Sequence, residues 1–216
     1  MISRLILLVG LALAVVPGAL RAQATDNDYH QVAGNPQLRE LLEAVEKYHL
    51  GPGVQHMSRG YYTGAFKDFS FILNYFPNHP RVLLLMTELC RKWKNPQCVA
   101  ENYFERALKV NPGAPGALIA HGIYLQRQNR LDEAIASYEK ALEAAPDSVN
   151  AHYNLGLAYF AKKNYTKANE HAQRAYATSM ALPALRDKLQ KVGAWQPLPE
   201  TPSSAAESTP KEDAAK

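Results

Sequence analysis

Only two of the 216 residues are cysteine, and only one apolar run of any length occurs, from Leu5 to Val16. An excess of one charge is also lacking: 24 Lys and Arg stand against 20 Asp and Glu, and no basic run is interleaved with aromatics. That absence removes the electrostatic footprint of a nucleic-acid binder. The motifs of common catalytic sites are missing too. There is no Gly-rich phosphate loop and no Gly-x-Ser-x-Gly, and none of the seven histidines stands at a zinc-type spacing from another ligand. Glu40, Glu43 and Glu46 recur every third residue, which is the pattern of a solvated helix face rather than of paired catalytic acids. The expectation is a chain with no catalytic residues, no cofactor and no resident metal. What is abundant is apolar material, 47% of residues with 9% aromatic, enough for one domain with a real core.

The first 24 residues read in three parts: a basic start to Arg4, the apolar run, and Pro17-Gly18 followed by Ala22-Gln23-Ala24. Small residues on each side of Gln23 suit a signal peptidase, so cleavage is expected at Ala24-Thr25, giving a periplasmic or secreted product. The alternative is a retained anchor, but the run is shorter than the roughly 20 residues that span a bilayer, and no second run follows. No stable membrane span is expected after cleavage. Without Arg4 and Arg21 the formal charge falls from +4 to +2. In an exported chain, Cys90 and Cys98 point to one disulfide. On a continuous helix their Cα atoms would lie roughly 12 Å apart, beyond the reach of a bridge, so the chain must reverse between them. Asn95-Pro96 supplies the turn and a new helix start.

Self-similarity is the strongest signal. Gly122 and Gly156, Ala134 and Ala168, and Ala141 and Ala175 each stand 34 residues apart, and Pro112 precedes Pro146 by the same interval. Small residues allow two antiparallel helices to approach, and Leu155, Tyr159 and Tyr165 fill the space beside them. Each unit ends in a proline that cannot continue a helix. Asn150-Ala-His-Tyr-Asn-Leu-Gly-Leu-Ala-Tyr159 with Asn164-Tyr-Thr-Lys-Ala168 resembles a tetratricopeptide repeat, as do Gly122, Leu131-Asp-Glu-Ala134, Tyr138 and Pro146 in the unit before. The resemblance implies an all-α fold, antiparallel helical hairpins stacked as a short right-handed superhelix, an α-solenoid. Its units are 81–114, 115–148 and 149–182, with a degenerate unit over 46–80 that Gly51-Pro52-Gly53 breaks. An amphipathic helix over 36–48 lies within the N-terminal segment 25–50, a capping helix spans 183–195, and residues 196–216 read as a disordered tail. In the unit 81–114, Glu88 stands where the packing glycine belongs.

The resemblance also implies a concave face lined by the first helix of each unit. Its candidate binding residues are Leu85, Leu89, Lys92 and Trp93; then Ile119, Ile123, Gln126 and Arg127; then Asn150, Tyr153, Leu157 and Phe160. This stripe is apolar and aromatic with cations at one edge, which suits an apolar or amphipathic segment of another protein. Polar positions for gripping a terminal carboxylate are occupied by Leu85, Leu89, Ile119 and Ile123. The expected role is a non-catalytic scaffold or adaptor in the bacterial cell envelope. The alternatives are an accessory subunit with a small-ligand or metal site, and a groove filled by the protein's own helix 36–48 or its tail.

Overall fold

Gly122 precedes Ala134 by 12 residues, as Gly156 precedes Ala168, and the helix pairs show what that interval does. The computed structural model describes residues 26–177 and 182–196. In it α1 (Pro36–Ser58) pairs with α2 (Tyr62–Tyr75), α3 (Pro80–Trp93) with α4 (Ala100–Val110), α5 (Pro115–Arg127) with α6 (Leu131–Ala144), and α7 (Val149–Ala161) with α8 (Tyr165–Tyr176). The last helix, α9 (Ala184–Lys191), closes the stack against α7 and α8. No strand occurs among the described residues. Prolines start α1, α3 and α5, where a missing N–H costs nothing. The expected signal peptide, the tail from residue 197 onward and the end of the last unit lie outside the described residues.

The glycines sit where the second helix crosses. A Cβ on Gly122 would overlap the ring of Tyr138, which is fully buried and donates its hydroxyl to Gln126 at 3.0 Å. The first hairpin differs from the sequence-based expectation. Its helix does not stop at Tyr48 but runs through Gly51-Pro52-Gly53 to Ser58. Pro52 leaves one helical hydrogen bond unmade, and the hairpin contact holds the helix together across it. A Cβ on Gly53 would stand 2.6 Å from the Phe69 ring, so this glycine is the small residue of a complete unit. It precedes the fully buried Ala65 by the same 12 residues. In the last hairpin Leu185 of α9 fills the space, 2.6 Å from a Cβ placed on Gly156.

The second hairpin is the irregular one. Ala65 and Ala100 are 35 residues apart, as are Pro80 and Pro115, so one extra residue enters here. The glycine's place accordingly falls to Thr87, buried and donating to the Leu83 carbonyl at 2.9 Å, not to Glu88, which forms a bidentate pair with Arg91. Thr87 lines the space where α3 and α4 part, and Cys90 and Cys98, bonded with Cα atoms 5.0 Å apart, clip the hairpin at its tip. A loop this short contributes about 2.5 kcal/mol on the chain-entropy model.

A strap precedes the first hairpin. Asp28 accepts from Asn78 at 2.6 Å and from Asn111 at 2.7 Å, and Asp26 pairs with Arg106 of α4 at 2.8 Å. Tyr29 packs against His79 with ring centres 4.5 Å apart and the rings tilted by 39°. His79 is itself buried, capping α3 through Nδ1 and donating from Nε2 to Glu46 at 2.9 Å. Glu46 is therefore part of the hairpin packing and not of a purely solvated face.

Two predictions follow from this packing. Gly51→Ala meets nothing within 4 Å and should stabilise the helix by about 0.5–1 kcal/mol, whereas Gly53→Ala should cost about 1–3 kcal/mol in urea unfolding. Equal effects would remove the claim that Gly53 is the packing glycine. The second concerns acid. Burial pushes the imidazoles of His79, His121, His152 and His171 below the usual 6.5, and His171, facing His152, Arg174 and Lys167, falls to about 4. His152 donates from Nε2 to the Pro146 carbonyl at 2.9 Å, leaving its Nδ1 to accept from His171 at 3.0 Å. A neutral pair of this kind gives its full stabilisation above the unfolded pKa and loses it as pH falls toward about 4. Urea midpoints should therefore drop between these limits, and His171→Gln should flatten the drop.

Candidate functional site

The first helices lie side by side, α1 next to α3, α3 next to α5, α5 next to α7 and α7 next to α9, while each second helix leans on the first helix of the following hairpin. A Cβ on Gly116 of α5 would stand 3.1 Å from the Pro80 ring of α3, so these inner helices nearly touch at their starts. Crowding on the first-helix side makes that side the inner face. Its floor is a half-buried apolar row: Leu84 on α3, Ile119 and Ile123 on α5, and Leu157 and Phe160 on α7, all packed on the core from above.

The structure brings together Ile119, Ile123, Leu157 and Phe160 as read from the sequence, and moves several others. Leu89 is fully buried and belongs to the core. Leu85 is half-buried, and Trp93 rests on Phe66 of α2 with ring centres 5.3 Å apart, at the seam between hairpins. The extra residue in the second hairpin is the cause: it shifts the inner positions of α3 by one, to Leu84, Glu88, Arg91 and Lys92. Lys92 thus keeps an inner place, paired with Glu88 at 3.5 Å. Tyr153 is only 8% exposed, because its ring meets Tyr176 edge-on and α9 covers it. Burial raises its pKa, the Tyr176 hydroxyl adding to the shift. Gln126 is engaged by Tyr138, and Asn150 is exposed at the start of α7, its carbonyl accepting from Asn154 at 2.8 Å.

Two hollows open along this face. At the α1–α3 seam a shallow recess of about 490 Å³ is lined by Lys47, Leu50, Val54, Glu46 and Arg81. The sequence reading missed it because it took the first unit as broken. The interval from Gly53 to Ala65 was the signal that could have found it. Where α3 and α4 part, a cleft of about 350 Å³ is bounded by Thr87, Glu88, the Cys90–Cys98 bond, Tyr124 and Arg127. On its wall Tyr124 donates to Glu101, which also takes Arg130 at 2.9 Å. Burial first and the Glu101 carboxylate second push the Tyr124 phenol up to about 12. Among the described residues no three His, Cys, Asp or Glu side chains are grouped to hold a metal ion, and no helix is long and apolar enough to cross a membrane.

The tetratricopeptide-repeat family model matches residues 119–183. The peroxisomal targeting signal receptor of Candida glabrata is 40% identical over 68 residues, which are 32% of this chain and 12% of that protein. The BBSome complex member BBS4 homolog of Drosophila melanogaster is 26% identical over 107 residues, 50% of this chain and 22% of the relative. The chain thus matches less than a quarter of the length of either curated relative. Among solved structures, PilW, described as a widely conserved type IV pilus biogenesis factor, superposes with a TM-score of 0.55 at 21% identity, covering 69% of this chain and 71% of its own. PilF of Pseudomonas aeruginosa also gives 0.55, at 19% identity over 70% and 71%. These likenesses bear on the fold. With the repeated Gly–Ala interval, the paired helices and the inner face they build, they give this chain the fold of a tetratricopeptide-repeat stack, with the family's own repeat matched over residues 119–183.

Proposed function

We propose that the protein is a non-catalytic scaffold that holds an apolar or amphipathic segment of a partner protein against the inner face. The observation that carries this is the set of half-buried apolar side chains Leu84, Ile119, Ile123 and Leu157 on three successive, adjacent first helices. These side chains are half-buried, so each keeps apolar area that a partner can cover, and an α-helix or extended segment fits a groove of this kind. Neither hollow presents a nucleophile with an adjacent base, and Glu88, Arg91, Glu101 and Tyr124 at the cleft are engaged in ion pairs and hydrogen bonds that brace helices. Its place of work, on this reading, is the bacterial cell envelope, reached through the leader with cleavage at Ala24-Thr25. That compartment would keep Cys90 and Cys98 oxidised.

Photo-crosslinking in native cells tests the groove. A benzophenone residue at position 123 should trap a defined polypeptide, and one at exposed position 140, on the outer side of α6, should not. Ile119→Glu should abolish trapping from position 123 while helicity is retained. The same products from both positions would sink the reading. N-terminal sequencing of the mature chain should begin at Thr25, and a chain starting at Met1 would contradict export by this route.

A further inference from the structure

Charge is distributed unevenly along the stack. Residues 26–148 carry 13 Lys and Arg against 14 Asp and Glu, whereas residues 149–196 carry seven against Glu170 and Asp187 alone. The seven cations are all exposed. Lys162 and Lys163 stand in the α7–α8 turn, Lys167 and Arg174 on α8, and Arg186, Lys188 and Lys191 on α9. Among the described residues only Lys162 meets a carboxylate, that of Asp132. Lys188 and Arg186 instead lie over aromatic rings, 5.7 Å from the centre of Phe160 and 5.6 Å from that of Tyr176.

Phe160 is the last residue of the groove floor, so Lys188 marks the point where the apolar row runs into the cationic end. We infer that the partner segment is acidic on one side: its apolar part lies along Ile119, Ile123 and Leu157, and its carboxylates continue onto Lys188, Lys191 and their neighbours. The inference rests on the groove reading above and adds the chemistry of the occupant. Continuity with a concave floor favours a polypeptide over a flat anionic membrane, which cannot follow the inner face. Uncompensated cations at such an end steer an acidic segment in and set its direction along the groove.

The test is selection of a displayed random-peptide library on the full chain. Enriched peptides should join an apolar stretch to a cluster of Asp or Glu. Their binding should weaken roughly tenfold or more between about 0.05 and about 0.5 M salt, where the screening length shrinks severalfold. Lys188→Gln with Lys191→Gln should weaken binding by a comparable factor, and Lys94→Gln with Lys140→Gln should leave it unchanged, with equal melting curves for all. Enriched peptides that are apolar but carry no acids would overturn the inference and leave the groove reading standing. No enriched peptide at all would overturn both. Binding to vesicles of phosphatidylglycerol with no peptide binding would assign the cations to a membrane and overturn the inference. The chain's own residues 197–216 carry Glu200, Glu207, Glu212 and Asp213. Peptide binding that emerges only when these four are changed to Gln or Asn would assign the surface to that segment and overturn the proposal.

Discussion

Two helices pack only as closely as the bulk at their crossing permits, and in this stack the crossing is set by a glycine and an alanine 12 residues apart. Where both are present, as at Gly53 and Ala65 or Gly122 and Ala134, a large ring lies directly over the glycine and the hairpin is tight. Where the glycine's place holds Thr87, the helices part, a disulfide takes over part of the constraint, and a cleft opens. The same local rule therefore yields both the regular units and the one departure from them. Overpacking at such crossings is costly because the rings above them are fully buried and have nowhere to move.

The two units with an intact 34-residue interval were legible from residue types alone, because small residues, fillers and prolines all recur in step. The second unit was legible only in its latter half. One extra residue inside the second hairpin displaces every position of α3 by one, which put Leu89 on the inner face when it is in the core and left Leu84 out. The first unit was misread for a different reason. Gly51-Pro52-Gly53 has the composition of a break, yet tertiary contact with α2 outweighs the local preference of a single proline. Tyr153 could not be placed from its own repeat, since what buries it is α9, a neighbour beyond the unit. Repeat registers carry over contacts inside a hairpin well and contacts at the ends of an array poorly.

On the proposed reading the inner face divides labour between its floor and its edges. Covering one already half-buried Leu or Ile side chain gains only about half of the 1.5–3 kcal/mol of full burial, and a row of them would supply affinity with little selectivity. Direction and selection have to come from charge, and the last hairpin with its cap holds that charge in excess. The ion pairs elsewhere, such as Arg130 between Glu101 and Glu133, are already satisfied and brace helices against one another.

In a stack of hairpins each unit normally touches only its neighbours, so units can fray from either end one at a time. The strap at Asp26–Tyr29 breaks that pattern, since its side chains reach partners as far along the chain as Arg106 and Asn111. The two N-terminal hairpins are thereby tied together by side chains as well as by packing, while the C-terminal hairpin is held by its packing on α5 and α6 and by the α9 cap. The end that the strap fastens is thus the one with balanced charge, and the uncompensated cations stand at the opposite end, which contacts with its neighbours hold in place.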